Sequence, residues 1–160
     1  MKIKIFSVGG TIDKVYFDRL NAYQVGFPNV REILDGLPIA FEYEIESLLR
    51  KDSLDMDEAD RALVRAHVAA EPCPKIIVTH GTDTMVETAK RLSDIPGKCV
   101  VLTGAMEPAG FKSSDAVFNV GVAVGAVSAL RDGVYIAMNG RIFDPFKCRK
   151  NRERGIFEEE

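Results

Sequence analysis

Only three cysteines occur in the chain, Cys73, Cys99 and Cys148, and no two of them stand in a Cys-x-x-Cys spacing. An odd count without paired spacing argues against a disulfide framework and against a zinc site, and reduced thiols fit the cytosol. Cys99 reads as a core residue, whereas the basic neighbours of Cys148 would lower its thiol pKa. Long apolar runs are missing too: nothing approaches the roughly 18 residues that span a bilayer. Met1 to Phe6 enters a strand pattern at once, which is read as leaving no room for a signal peptide. A cytoplasmic protein with no membrane partner is the expectation. The chain also lacks a basic balance, with a net charge of -3, so nucleic acid is not an expected partner. Lys147 to Arg154 is the local exception, reading as a solvated, mobile stretch offset by Glu158, Glu159 and Glu160.

What is present is a globular composition, 46% apolar with a mean hydropathy of -0.02. A chain of 160 residues suits one domain that buries roughly 70% of its unfolded surface. Lys2 to Val8, Lys75 to Thr79, Cys99 to Thr103 and, as the last strand, Tyr135 to Met138 read as strands; Phe41 to Leu49 alternates apolar and acidic residues, like a strand with one solvated face. Helices are expected at Asn29 to Gly36, from Asp57 to Glu71, after a capping box at Thr84-x-x-Glu87, and from Ser113-Ser114-Asp115 to about Leu130. The last of these would pack Val117, Val120, Gly121, Val124 and Val127 on a sheet. Strands alternating with helices predict an α/β fold: a single doubly wound domain with a mostly parallel β-sheet flanked by helices. No internal repeat or linker divides it.

Two threonine motifs stand about seventy residues apart at strand ends: Gly9-Gly10-Thr11-Ile12-Asp13 and Thr79-His80-Gly81-Thr82-Asp83-Thr84. Ligands of open α/β sheets bind at the carboxyl ends of strands, so both hydroxyls are delivered to the functional edge. Gly9-Gly10 allows a sharp turn off the first strand, and the long loop that follows to about Gly26, carrying Tyr16 and Tyr23, suggests a lid. Thr82 and Asp83 lie at the threshold of a helix, where unpaired N–H groups favour a carboxylate ligand or a developing oxyanion. Each motif also has a plain structural reading, a turn at a strand end for the first and a helix-end Asp83 with a packed His80 for the second. A threonine is a weak nucleophile until a neighbour takes its proton, and Tyr23 and Lys150 are the candidate activators.

The two motifs resemble the signatures of the bacterial-type L-asparaginase family, amidohydrolases that release ammonia from asparagine. The similarity continues through Asn21 to Gly26, Asp52 to Met56, Gly104 to Pro108 and Met138 to Gly140, in order along nearly the whole chain. The resemblance implies Thr11 as nucleophile, Tyr23 as its lid tyrosine, and Thr82 with Lys150 as a proton-handling pair. It further implies Asp83 as the partner of the substrate α-ammonium and Ser53 as the partner of its carboxylate. The backbone near Thr82 and Ala105 would receive the amide and the oxyanion. Lys147 and Arg149 are alternative matches for the lysine. Two departures stand out: Leu54 replaces the glutamine or glutamate usual after the serine, and the chain resembles the N-terminal, catalytic domain only. The family's C-terminal domain, which supplies an acidic residue to a partner subunit's site, is expected to be absent.

The resemblance therefore implies an L-asparagine amidohydrolase that uses no metal or organic cofactor and assembles as a homo-oligomer, a dimer or tetramer. An amidase preferring glutamine or another amide is the related alternative, motivated by Leu54. The non-catalytic alternative is an amino-acid-binding or assembly module, which would have no need of both hydroxyls.

Overall fold

Alternation along the central strands decides the layers. In the computed structural model, which describes residues 1–160, β1 (Lys2–Gly9) sends Ile3 and Ile5 to one face of a sheet and Phe6 and Val8 to the other. The chain continues through a hairpin of β2 (Lys14–Phe17) and β3 (Ala22–Val25), then α1 (Val30–Asp35), β4 (Glu42–Lys51) and α2 (Glu58–Ala70). Next come β5 (Lys75–Thr79), α3 (Met85–Leu92), β6 (Cys99–Thr103), α4 (Ala116–Ala129) and β7 (Gly133–Met138). Three short strands close the chain: β8 (Arg141–Phe143), β9 (Cys148–Asn151) and β10 (Ile156–Glu159). No helix is long and apolar enough to cross a membrane.

The main sheet has the order β4-β1-β5-β6-β7-β8, parallel throughout except for the antiparallel edge pair β7 and β8. The expected α/β class and mostly parallel sheet are thus present. Ile76 and Val78, Val100 and Leu102, and Ile136 and Met138 join one core, which α2 closes with Val64 and Val68 and α3 with Met85, Ala89 and Leu92. Ile77, Val101 and Ala137 point to the opposite core, closed by Val30 and Leu34 of α1 and by α4. Near-continuous apolar strands are what a sheet covered on both faces requires. From β1 the chain steps outward to β4 and then returns to the other side of β1 as β5. The order reverses there, and such a switch point opens a crevice at the strands' carboxyl ends.

Several local expectations are corrected. The stretch from Thr11 to Gly26 is an antiparallel hairpin, entered through one short 3-10 turn and tipped by another, because Tyr16 and Tyr23 pair across it. Met138 does not end the last strand: Lys147 to Arg154, expected as a solvated mobile stretch, forms most of the β9–β10 hairpin. The charge balance with the acidic tail does hold, as Glu158 pairs with Arg149 and Arg154. Cys148 and Phe157 root this hairpin in the core, and burial pushes the Cys148 thiol up to about 11 instead of down. Thr84 makes no capping bond, since its hydroxyl donates to the Ser53 carbonyl at 2.9 Å. On α4 the buried positions are Ala116, Asn119, Val120, Ala123, Ala126 and Val127, while Val117 and Gly121 face outward and Val124 is partly covered. Valines and alanines surround this helix on all sides, so its periodicity singled out no one face.

Phe157 is 3% exposed and Phe146 is 59% exposed. Phe157→Ala is expected to lower unfolding stability by about 3–5 kcal/mol in urea titrations, as large aromatic truncations in cores do. Phe146→Ala, at the surface, is expected to change it by about 0.5 kcal/mol or less.

Candidate active site

Three loops meet where β1, β4 and β5 end. A methyl group on Gly10 would lie 2.3 Å from the Gly81 Cα, and one on Gly81 would lie 2.6 Å from the Ser53 Cβ and Oγ. Backbone therefore packs on backbone, and only glycine fits at both positions. Gly10 also holds φ at 86°, a conformation that favours glycine. Its N–H donates to the Lys51 carbonyl at 2.9 Å, tying the turn after β1 to the end of β4. The half-buried Thr11 follows Gly10 directly, and the nearly buried Thr82 follows Gly81. The two motifs are thus adjacent in space through their glycines.

The second motif is locked from beneath. His80 is fully buried; its Nδ1 lies 2.7 Å from the Gly81 carbonyl and its Nε2 lies 2.8 Å from the Thr88 hydroxyl. A carbonyl only accepts, so Nδ1 carries the proton and Nε2 accepts from Thr88. Burial lowers this imidazole to about 4, against the opposing pull of the Gly81 carbonyl, and keeps it neutral. The packed-histidine reading of His80 is the one the geometry supports.

Lys150 reaches this motif from β9. Its Nζ donates to Thr82 Oγ1 at 2.8 Å and to Asp83 Oδ1 at 3.0 Å, with the lysine side chain 15% exposed. Neither alternative basic residue does so: Lys147 lies 3.9 Å from Asp144, and Arg149 pairs with Glu158. Arg152, from the same hairpin, places Nε 3.2 Å from Asp83 Oδ1. The hairpin is positioned by a relay of amides. Asn119 Nδ2 donates to the Gly104 carbonyl, Asn119 Oδ1 accepts from the Asn139 N–H, and Asn139 Oδ1 accepts from the Phe157 N–H at 2.8 Å. Phe157 faces Lys150 across the β9–β10 ladder. Asp115 supports the same corner by accepting from the Met106 and Glu107 N–H groups and from Asn119.

The first motif hangs on Asp13. Its buried carboxylate accepts from the Ser7 hydroxyl at 2.9 Å and from the Asn29 N–H at 2.8 Å. Burial raises it to about 6, more than those two hydrogen bonds lower it. The β2–β3 hairpin is also joined to the Ser53 turn by Lys14, 2.7 Å from Asp52. Partial burial pushes the Asp52 carboxyl up, but Lys14 and the Leu54 N–H outweigh that and hold it low.

Of the residues expected from sequence, Thr82, Asp83 and Lys150 touch one another directly. Thr11 and Ser53 join them through Gly10 and Gly81. Ser53 is buried and its hydroxyl has no protein partner. Ala105 is buried just beyond β6, where the Ala109 N–H donates to the Ile12 carbonyl of the first loop. Tyr23 stands apart: it is 49% exposed, edge-on to Tyr16 and Phe111, and borders an open cleft of about 490 Å³ that also meets Lys14, Asp52 and Asp55. Arg152, Asp13, Asn119 and Asp115 were missed as site supports. A lone Asn inside an apolar helix was the available signal for Asn119, because a buried amide needs partners.

Residues 2–156 match the family model described as asparaginase, N-terminal. The chain is 35% identical over 153 residues to a probable periplasmic L-asparaginase of Haemophilus influenzae, covering 88% of this chain and 43% of that protein. It is 34% identical over 156 residues to L-asparaginase 2 of Escherichia coli, covering 89% and 44%. The thermostable L-asparaginase from Thermococcus kodakarensis superposes with a TM-score of 0.86 at 25% identity, over 99% of this chain and 51% of that one. The chain spans about half the length of the relatives it matches.

Asp13 and His80 give the fold opposing pH dependences. A carboxyl raised from 3.8 to about 6 stabilises the fold fully below pH 3.8 and loses that contribution as pH rises through 6, about 3 kcal/mol in all. An imidazole lowered from 6.5 to about 4 contributes a similar amount above pH 6.5, lost as pH falls through 4. The two nearly cancel between pH 4 and 6.5. Asp13→Asn is therefore expected to leave a stability that rises with pH across this window, and His80→Gln one that falls. Denaturation at several pH values checks the signs.

Proposed function

The chain belongs to the asparaginase family, matching its N-terminal domain, and we propose that it hydrolyses L-asparagine to L-aspartate and ammonia through a threonine acyl-enzyme. The observation that carries this reading is the Lys150–Thr82–Asp83 cluster, set one glycine contact away from Thr11 at the switch point of the sheet. In this reading the Thr11 hydroxyl attacks the side-chain amide carbon, its proton passes to the leaving nitrogen, and ammonia departs. Water then cleaves the ester and restores Thr11. Thr82 and Lys150 handle the proton in both steps, a contribution worth about 10²–10⁴-fold. Asp83 takes the α-ammonium, and the partnerless Ser53 hydroxyl takes the α-carboxylate. Backbone near Thr82 and Ala105 receives the amide and the oxyanion. Tyr23, outside the cluster and on the hairpin, acts on closure of that hairpin over the bound substrate.

Substrate binding by these 160 residues is expected to be weak. Leu54, 62% exposed beside Ser53, offers the amino acid no hydrogen bond. Each missing bond to a charged substrate group weakens binding by about 1.5–3 kcal/mol, roughly 10- to 150-fold, so the defect falls mainly on KM. The chain is proposed to assemble as a homo-oligomer, and light scattering that returns the 17.6 kDa monomer mass would refute it.

Thr11→Ala is expected to abolish ammonia release while leaving the melting curve unchanged, and Lys150→Met to reduce turnover by about 10²-fold or more. Mass spectrometry of the quenched enzyme should find the acyl adduct on the peptide containing Thr11. An adduct on Thr82, the threonine that Lys150 touches, would exchange the two roles. Tight aspartate binding with no ammonia release from any amide would favour the binding-module reading.

A further inference from the structure

Asp83 is the carboxylate in contact with the Thr82–Lys150 pair, and it is doubly engaged in the free protein. Lys150 Nζ and Arg152 Nε both lie against the same oxygen, Oδ1, at 3.0 and 3.2 Å. Two cations on one anion leave a local charge of about plus one before any ligand arrives. The positive charge is confined to Asp83 itself: in the cleft of about 290 Å³ on this side Lys90 faces Glu87 and Glu160, and Arg149 is paired with Glu158.

The two cations differ in what holds them. Lys150 is 15% exposed and also serves the Thr82 hydroxyl, whereas Arg152 is 67% exposed and has Asp83 as its ion-pair partner. Arg152 is thus free of the proton-handling pair and acts on Asp83 alone. An α-ammonium entering here must displace a guanidinium and then lie beside two like charges, which disfavours it. A ligand with the same carbon skeleton but no ammonium meets neither obstacle, and its carboxylate is attracted by the excess positive charge.

We propose that Arg152 is a specificity-determining residue that closes Asp83 to a free α-ammonium and turns the site toward side-chain amides of dicarboxylic acids lacking that charge, succinamate being the simplest. This rests on the amidase reading above and narrows its substrate class; L-asparagine remains a substrate, at lower kcat/KM. Because Arg152 is mostly exposed, its influence is screened by salt.

The test compares succinamate with L-asparagine in the wild type and in Arg152→Gln, at low and high ionic strength. The wild type is expected to favour succinamate by roughly tenfold in kcat/KM at low salt, chiefly through KM, with the preference shrinking as salt rises. Arg152→Gln is expected to raise kcat/KM for asparagine and lower it for succinamate, removing the preference. Calorimetry with the products needs no chemistry: succinate should bind the wild type more tightly than L-aspartate, and the variant should bind the two alike. Selectivity unchanged in Arg152→Gln, or tighter aspartate than succinate binding by the wild type, overturns the proposal. If neither amide turns over, the amidase reading fails by itself, and the product-binding comparison decides the role of Arg152.

Discussion

The contact between Gly10 and Gly81 is the constraint from which the site follows. With no side chain on either residue, the turns leaving β1 and β5 touch backbone to backbone, and the Ser53 turn packs on the same spot. Any Cβ there would separate the strand ends and carry Thr11 away from Thr82. The remaining devices hold this contact in place: Asp13 secures the first turn to Ser7 and Asn29, His80 secures the second to Thr88, and Thr84 holds the Ser53 carbonyl. Buried polar groups at a site edge are costly unless paired, and here nearly all of them are used to fix loops. The Ser53 hydroxyl is an exception, unpaired at the point where the three loops meet.

Lysine placement is solved at longer range. Lys150 has no neighbour in sequence that would aim it at Thr82, and its direction comes from the seat of its hairpin. Cys148 and Phe157 enter the core, while Asn119 and Asn139 pass hydrogen bonds from the loop after β6 to the Phe157 N–H. Polar and apolar anchoring thus converge on one short antiparallel pair, and a flexible side chain is delivered to within hydrogen-bond distance of two partners.

How much of this was legible depended on whether the signal was local. The parallel strands were readable because Ile76 to Val78 and Cys99 to Leu102 are apolar runs bounded by breakers, and the threonine motifs lie at their ends. The Thr82–Asp83–Lys150 cluster was legible only through resemblance, since 67 residues separate Asp83 from Lys150. The β2–β3 and β9–β10 hairpins were misread, because Tyr16 against Tyr23 and Arg149 against Glu158 are cross-strand pairs whose register no single window displays. Thr84 looked like a cap and became a tether, as tertiary partners outcompeted the local one. The buried face of α4 was half right, because a helix apolar on all sides has its orientation set by close packing of Ala116, Ala123 and Ala126 rather than by hydrophobicity.

β1 lies between β4 and β5, hydrogen-bonded to both. That central position has a consequence for biosynthesis. β1 leaves the ribosome about seventy residues before β5 is complete, an interval of roughly 4–15 s at ordinary rates of translation. β4 is made midway through it and can pair only one edge of β1, so a strand whose side chains are apolar on both faces keeps its β5 edge open throughout. The chain must therefore be shielded during its own synthesis at the segment that ends in the Thr11 turn, so the step most exposed to aggregation and the assembly of the site depend on the same eight residues.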